Sequence, residues 1–594
     1  MPILKSLRNV SLAHISLTLV GLMWVLPFLY YRHAYPLTTF YQEWGAAMLG
    51  MLAGTYLLGR QYWHDAEIPR IVQLPILLML LGLLQLTLSQ AVYFEQTQLF
   101  AMYMLWATLL MMLGHGLRKQ LGMPVMFGAL AVFLLLGAEL NALIGVLQHY
   151  RLQTFLDAVV TMKTSMAVYG NLAQPNHYAS YIVMGLISLG LLRSRLRTWQ
   201  VILLALPLLF VLVLSGSRSS WLYLLGMAAL AFMMQHRNKA LRHLLNYSLL
   251  LLPAFLLMHL AVQIPWMAET TGSVTTMQRL VGAGSSGSIR GYLWYEAWIM
   301  FSQSPLLGAG IGQFAWQHFL LVPELNTHEV TGLYNNAHNL IMHLAAEMGV
   351  FGVAILLGAL VMWIWRGKER TQYTAYHWWG YSILLVLGIH SLLEYPLWYA
   401  YFLGVAVVLL GALDKRTFKL ELRGLARISV TAILLTGMLS ILQLQQSYQL
   451  LERTMAIRPH TAVDSAVSQQ RVREGLIGVF GNVMLRPYAE LFLNNYIEVS
   501  KDDLASKIDL NERSMRFIPL GNVVYRRAWL YALEDRQEEA RAQLKRAIWS
   551  YPGDFAAQRV ILTELAQKEP EHYAALLKFG IEKYEEYVNA VPAR

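Results

Sequence analysis

A chain of 594 residues that is 56% hydrophobic and 14% charged, with a mean hydropathy of +0.43, is excluded from the soluble globular class. Its net charge of +11 lies wholly in residues 1–445, because 446–594 carry 20 basic against 20 acidic side chains. With no aromatic-plus-basic repeat, that excess points to lipid headgroups and not to nucleic acid. With no cysteine, disulfides, thiolate nucleophiles and Cys-ligated metal sites are excluded as well.

In chain order, apolar stretches near the length of a bilayer crossing predict about thirteen helical spans. They fall near 10–31, 44–60, 72–94, 98–117, 124–148, 178–193, 199–215, 219–235, 243–264, 338–365, 376–393, 397–413 and 426–445. The first follows Lys5 and Arg8 as a signal peptide would, but its apolar stretch is too long and no small-x-small cleavage site follows. The expected fold is therefore all-α: a polytopic transmembrane bundle over 1–445 and a soluble helical domain over 446–594.

Loop charges set an expected orientation. With the N-terminus in the cytoplasm, 20 Lys and Arg fall on cytoplasmic segments. The outer side keeps only six: Arg32, Arg151, Lys163, Arg218, Arg279 and Arg290. An odd number of spans sends the tail outside, which in a bacterial inner membrane is the periplasm. The longest outer loop, 265–337, is rich in Gly and Ser and turns amphipathic near 289–302. Its Gly308–Gly312 run has no strand before it and no βαβ unit around it, so it is not a dinucleotide loop.

Polar residues gather at the outer ends of these spans. The stretch "LYNNAHNLIMHLAAEMGVFG" (333–352) places Asn335, Asn336, His338, Asn339, His343 and Glu347 at a helix mouth. His338 is either an N-terminal capping feature or a general base, since imidazole titrates near neutral pH. His343 at i+5 points elsewhere, which argues against a two-His metal site; no Asp-x-Asp metal clamp occurs. Arg218, in "LSGSRSSWL", and Arg290, in "GSSGSIRGYLWYEAW", each stand near an expected helix start, where a guanidinium suits a diphosphate. For either one, lipid contact is the competing reading. Gln174, Asn176 and His177 precede a span that Pro175 starts. His390, Glu394 and Tyr395 lie in "GIHSLLEYPLWY", with His390 and Glu394 as a structural pair or an orienting one.

In the tail, 521–554 spaces Ala528, Tyr531, Ala540, Leu544, Ala547 and Pro552 as a tetratricopeptide unit would. One such unit cannot bury its own face and needs neighbouring helices.

Together, "QPNHYASY", "SGSRSSW", "NNAHNLIMHLAAEMGVFG" and "HSLLEYPL" resemble the bacterial O-oligosaccharyltransferases that glycosylate pilins and other proteins, within the O-antigen ligase and polymerase superfamily. Pro27, His33, Pro36 and Glu43 fit the same protein-glycosylating branch. The resemblance implies transfer of an oligosaccharide as a block from undecaprenyl diphosphate to a protein hydroxyl, outside the inner membrane, with inversion and without metal, nucleotide or other cofactor. It implies His338 as general base and Arg218 and Arg290 as diphosphate ligands. Gln174 and Tyr395 would shape the acceptor or glycan pocket; Asn176, His177, Asn339, Glu347, His390 and Glu394 would support it. Lipid A core or a growing glycan as acceptor is the near alternative, and a glycolipid transporter the distant one. The sequence shows no clear internal repeat of the kind transporters often carry.

Overall fold

The computed structural model describes residues 11–88, 93–264, 267, 285–325, 330–367, 372–419, 423–457 and 464–590. Lys5, Arg8, Arg279, Lys368, Arg370 and most of the 265–284 stretch lie outside the described residues. The structure is helical, with a single pair of three-residue strands among the described residues. Each of the thirteen expected stretches falls on a helix. Among the described residues, six helices are long and apolar enough to cross a membrane: Leu12–Leu29, Arg70–Thr87, Phe94–Tyr150, Lys239–Ala261, Leu340–Trp365 and Arg423–Met455. Others are shorter, such as the 17 residues of Thr198–Leu214 and the 15 of Phe40–Gly54, or carry polar positions, as Pro175–Leu192 does.

By its contacts the chain divides into two compact units. The first comprises Met1–Leu78, Met102–Ala283 and Ile355–Ile441; the second comprises Met79–Ala101, Gly284–Ala354 and Leu442–Arg594. The boundary expected at 445/446 falls inside the continuous helix Arg423–Met455, and the tail shares its unit with 284–354.

In the first unit, close approach comes from small residues, as it must where lipid offers no hydrophobic drive between helices. A Cβ on Gly411 would lie closer than 3.0 Å to the Met111 backbone, and one on Gly114 would meet the Val408 backbone the same way. Phe94–Tyr150 breaks at Gly122, where φ is +75°, just ahead of Pro124. That is the gap expected between the spans 98–117 and 124–148.

Loop contacts in this unit sort into two sets. Glu67–Pro69 pairs antiparallel with Thr417–Lys419, in register Glu67↔Lys419. Asp414 Oδ2 accepts from Ile71 N at 2.8 Å, and Lys119 Nζ lies 2.7 Å from Asp65 and 3.1 Å from Glu67. The hydrogen bond and charge of Lys119 hold the Asp65 carboxyl below its ordinary range. Asn238 donates to Tyr373 O at 2.8 Å. All these positions belong to loops that the charge reading puts on one side of the bilayer. In the other set, His33 Nε2 donates to Asn171 O at 2.8 Å, Asn171 Nδ2 donates to Leu29 O at 2.7 Å, and Thr161 Oγ1 donates to Tyr31 O at 2.9 Å. Glu43 accepts from Tyr103 Oη at 2.8 Å and from Ala400 N at 2.7 Å, giving a role to the N-terminal motif.

In the second unit, the tail helices Gly521–Leu533 and Gln537–Ser550 pack with Ala528, Ala540, Leu544 and Ala547 fully buried between them and their neighbours. Tyr531 is only half-buried, and the guanidinium groups of Arg527 and Arg536 lie 4.3 and 4.2 Å from its ring centroid. The tail core does not close by itself: Phe319 and Val322 of the 265–337 loop, and Tyr93, complete it. Tyr93 Oη donates to buried Glu490 at 2.6 Å. Burial pushes the Arg526 guanidinium down to about 10.

Candidate active site

The second unit holds His338, Asn339, Arg290, His343 and Glu347. The Leu340–Gly367 helix begins two residues after His338. Asn339 is its cap: Oδ1 accepts from Ile341 N at 3.0 Å and from Met342 N at 3.2 Å. The capping role that His338 was a candidate for therefore belongs to its neighbour. His338 instead takes φ +50°, in the left-handed region, and its N–H donates to Asn336 Oδ1 at 3.1 Å. That backbone state costs about 1–2 kcal/mol for a residue with a Cβ. Such strain concentrates at functional sites, where the surroundings must hold it in place. The side chain of His338 is half-buried at the helix mouth.

His343 and Glu347 do something else. His343 Nε2 lies 3.2 Å from Glu347 Oε2, and its ring stacks on Phe314 at 5.3 Å. Glu347 also accepts from Gly312 N and Phe314 N, both at 3.0 Å, at the N-terminal end of the Phe314–Leu325 helix. A carboxylate there satisfies orphan amides and meets the positive end of the helix dipole. The glycine run before it serves packing: a Cβ on Gly308 would lie within 3.0 Å of the Glu347 backbone, and one on Gly349 within 3.0 Å of Leu306 O. Gln85 clasps both sides, donating to Leu307 O at 2.6 Å and to Glu347 O at 2.7 Å.

Arg290 corrects one expectation. Its helix starts at Ser285, so Arg290 stands in the second turn, not at the helix opening. The Ser/Gly run is helical because Ile289, Leu293 and Ala297 form a stripe that packs with Phe314 and Leu321; burial outweighs local propensity.

The first unit holds Gln174, Asn176, His177, Arg218, His390, Glu394 and Tyr395. Gln174 caps the Pro175–Leu192 helix, accepting from His177 N at 2.6 Å, with Pro175 in the first helical position. Asn176 Nδ2 donates to Glu394 Oε1 at 2.8 Å, and Ser217 Oγ donates to Asn176 Oδ1 at 2.8 Å. Arg218 follows directly, half-buried, at the start of the Ser219–Arg237 helix. The buried His177 ring stands edge-on to His390 at 5.2 Å and to Tyr399 at 5.0 Å, with Tyr395 at 6.3 Å. Three separate motifs thus meet in one polar and aromatic cluster. The Glu394 side chain accepts from Asn176, a pairing that sequence spacing does not reveal.

Sequence reasoning passed over Glu296 and His318, a buried pair at 2.8 Å. The available signal was an acid and a histidine, each set among aromatic and aliphatic side chains of its helix.

Three families match the chain. O-antigen ligase covers 203–357, the C-terminal part of virulence factor membrane-bound polymerase covers 378–565, and protein glycosylation ligase covers 168–192. A general O-oligosaccharyltransferase of Acinetobacter baylyi is 25% identical over 454 residues, 73% of this chain and 75% of that one. A ComP-specific O-oligosaccharyltransferase of the same organism is 23% identical over 251 residues, 42% of this chain and 44% of that one. The chain is thus similar to O-oligosaccharyltransferases and to the O-antigen ligase superfamily. The O-antigen ligase match encloses Arg218, Arg290, His338, Asn339 and Glu347. The protein glycosylation ligase match encloses Gln174, Asn176 and His177, and the third encloses His390, Glu394 and Tyr395. No site residue expected from the sequence lies outside the matched segments.

Proposed function

We propose that this protein moves a preassembled glycan from undecaprenyl diphosphate to serine or threonine hydroxyls of periplasmic or pilin proteins, with His338 as general base. The carrying observation is the state of His338 itself. It is held at φ +50° while Asn339 does the capping, so the helix start does not require an imidazole at 338. A side chain kept in a costly conformation that folding does not need is best accounted for by chemistry.

In this reading His338 takes the proton of the acceptor hydroxyl as its oxygen attacks the anomeric carbon. The bond from that carbon to the diphosphate oxygen breaks, the leaving diphosphate keeps the electron pair, and the sugar inverts. Arg290 stabilises the charge growing on the leaving group, and Arg218 is the second candidate for that task, on the strength of its motif. Gln174, His177, His390 and Tyr395 serve the acceptor or glycan pocket, while Asn176, Asn339, Glu347 and Glu394 hold the frame. The tail, with its tetratricopeptide-like helix pair, stands in the periplasm, about thirteen spans precede it, and the N-terminus is cytoplasmic. The 20-to-6 distribution of loop cations supports that orientation. No cofactor takes part.

The test is glycan transfer by purified protein from an undecaprenyl-diphosphate donor to a pilin-like acceptor. His338→Ala is expected to lose roughly 10²–10⁴-fold in rate at matched thermal stability. Transfer that survives the substitution removes His338 from the chemistry. Transfer to lipid A core but never to protein moves the chain to the ligase side of the superfamily.

A further inference from the structure

We propose that the buried Glu296–His318 pair is a positioning device for the segment that carries His338; the inference rests on the general-base reading above. Glu296 Oε2 lies 2.8 Å from His318 Nδ1, and the two residues are 0% and 1% exposed. They sit among Leu293, Ala297, Met300, Phe314, Leu321, Val330, Ala337 and Ala346, an apolar cluster where a charge-capable pair brings a desolvation cost. Replacing such a pair by apolar side chains is often neutral or stabilising, so stability alone does not account for it.

Its connections suggest the reason. Glu296 shares the Ser285–Gln303 helix with Arg290. His318 belongs to the Phe314–Leu325 helix, whose first amides Glu347 holds. On its far side, His318 Nε2–H donates to Gly332 O at 3.3 Å, and Tyr334 stands edge-on to the ring at 5.5 Å. Val330 and Ala337, which bracket this stretch, are fully buried in the same cluster. The next residue is His338. One pair thus ties the helix of Arg290 to the backbone that leads into the strained histidine. With a carboxylate on one nitrogen and a carbonyl on the other, both ring nitrogens are engaged and the imidazole has one orientation.

The chain has no cysteine, so a Leu333→Cys variant takes a nitroxide at one place only. Leu333 is 37% exposed, beside Gly332. In that background, Glu296→Gln and His318→Asn are expected to turn an immobilised spectrum into a mobile one. Each is also expected to lower kcat roughly 100-fold, with a smaller change in donor KM, as for a reacting group misplaced by about 1 Å. Glu296→Asp, which keeps the carboxylate, should recover part of kcat. If either variant fails to fold, the other carries the same comparison. An immobile label with unchanged kcat, or a loss of activity merely proportional to the unfolded fraction, overturns the proposal. His338→Ala in the same background separates the two ideas. If it keeps transfer, the base assignment falls, while the label still reports whether the pair holds the segment.

Discussion

The polar residues around His338 and those around Asn176 are built in opposite ways. At 336–342 the bonds are local: Asn336 to the amide of His338, Asn339 to the amides of Ile341 and Met342. They close over two or three residues and leave a left-handed histidine between them. At Asn176 the bonds are remote, reaching 218 positions to Glu394 and 41 positions to Ser217. Local bonds shape one short segment around one side chain. Remote bonds fasten separate helices, and their loss is a folding matter before it is a chemical one. The difference teaches that polar residues in matched motifs need not share a task.

The largest effect that tests this contrast is on His338. His338→Gly should cut transfer by roughly 10²–10⁴-fold. Relief of the left-handed backbone should meanwhile raise stability by about 1 kcal/mol, read from thermal or denaturant unfolding in detergent. A glycine variant that retains transfer breaks the comparison on its chemical side.

Asn176→Ala should do the reverse. It removes one hydrogen bond from Glu394 Oε1 and one from Ser217 Oγ, at about 1–3 kcal/mol for each buried bond lost. Unfolding measurements should show this loss, while protein that remains folded loses far less activity than the His338 variant. Strong loss of transfer at full stability would instead make Asn176 a substrate ligand.

Next in size is Asn339→Ala, a lost cap worth about 1 kcal/mol, visible as faster hydrogen exchange at Ile341 and Met342. Unchanged exchange would return the capping role to His338. Ser217→Ala is the smallest: it removes one donor to Asn176, at about 0.5–1.5 kcal/mol by the same unfolding measurement, with transfer nearly intact.

Features governed by nearby residues were legible in the sequence. The helix start at Gln174–Pro175, the break at Gly122 and Pro124, and the helical stretches themselves follow from propensity, apolar length and capping chemistry. Where several neighbours compete, the reading weakens. Asn339 and His338 both suit a cap, and only geometry shows which one accepts the amides. The Ser/Gly stretch before Arg290 belongs to the expected outer loop, yet burial of Ile289 and Leu293 makes it helix from Ser285. Pairings across long separations were not legible at all. Glu394 with Asn176, Glu296 with His318, and Phe319 within the tail core are tertiary facts without a local signature.

The small ladder of Glu67–Pro69 with Thr417–Lys419 joins residues 350 positions apart. A ribosome adding about 5–20 residues per second needs roughly 20–70 s to cover that distance. For that interval the loop after the Phe40–Gly54 helix exists without its partner strand, while most of the first unit is still being made. The ladder is therefore a late clasp in biosynthesis, and a nascent chain stopped before Thr417 cannot form it.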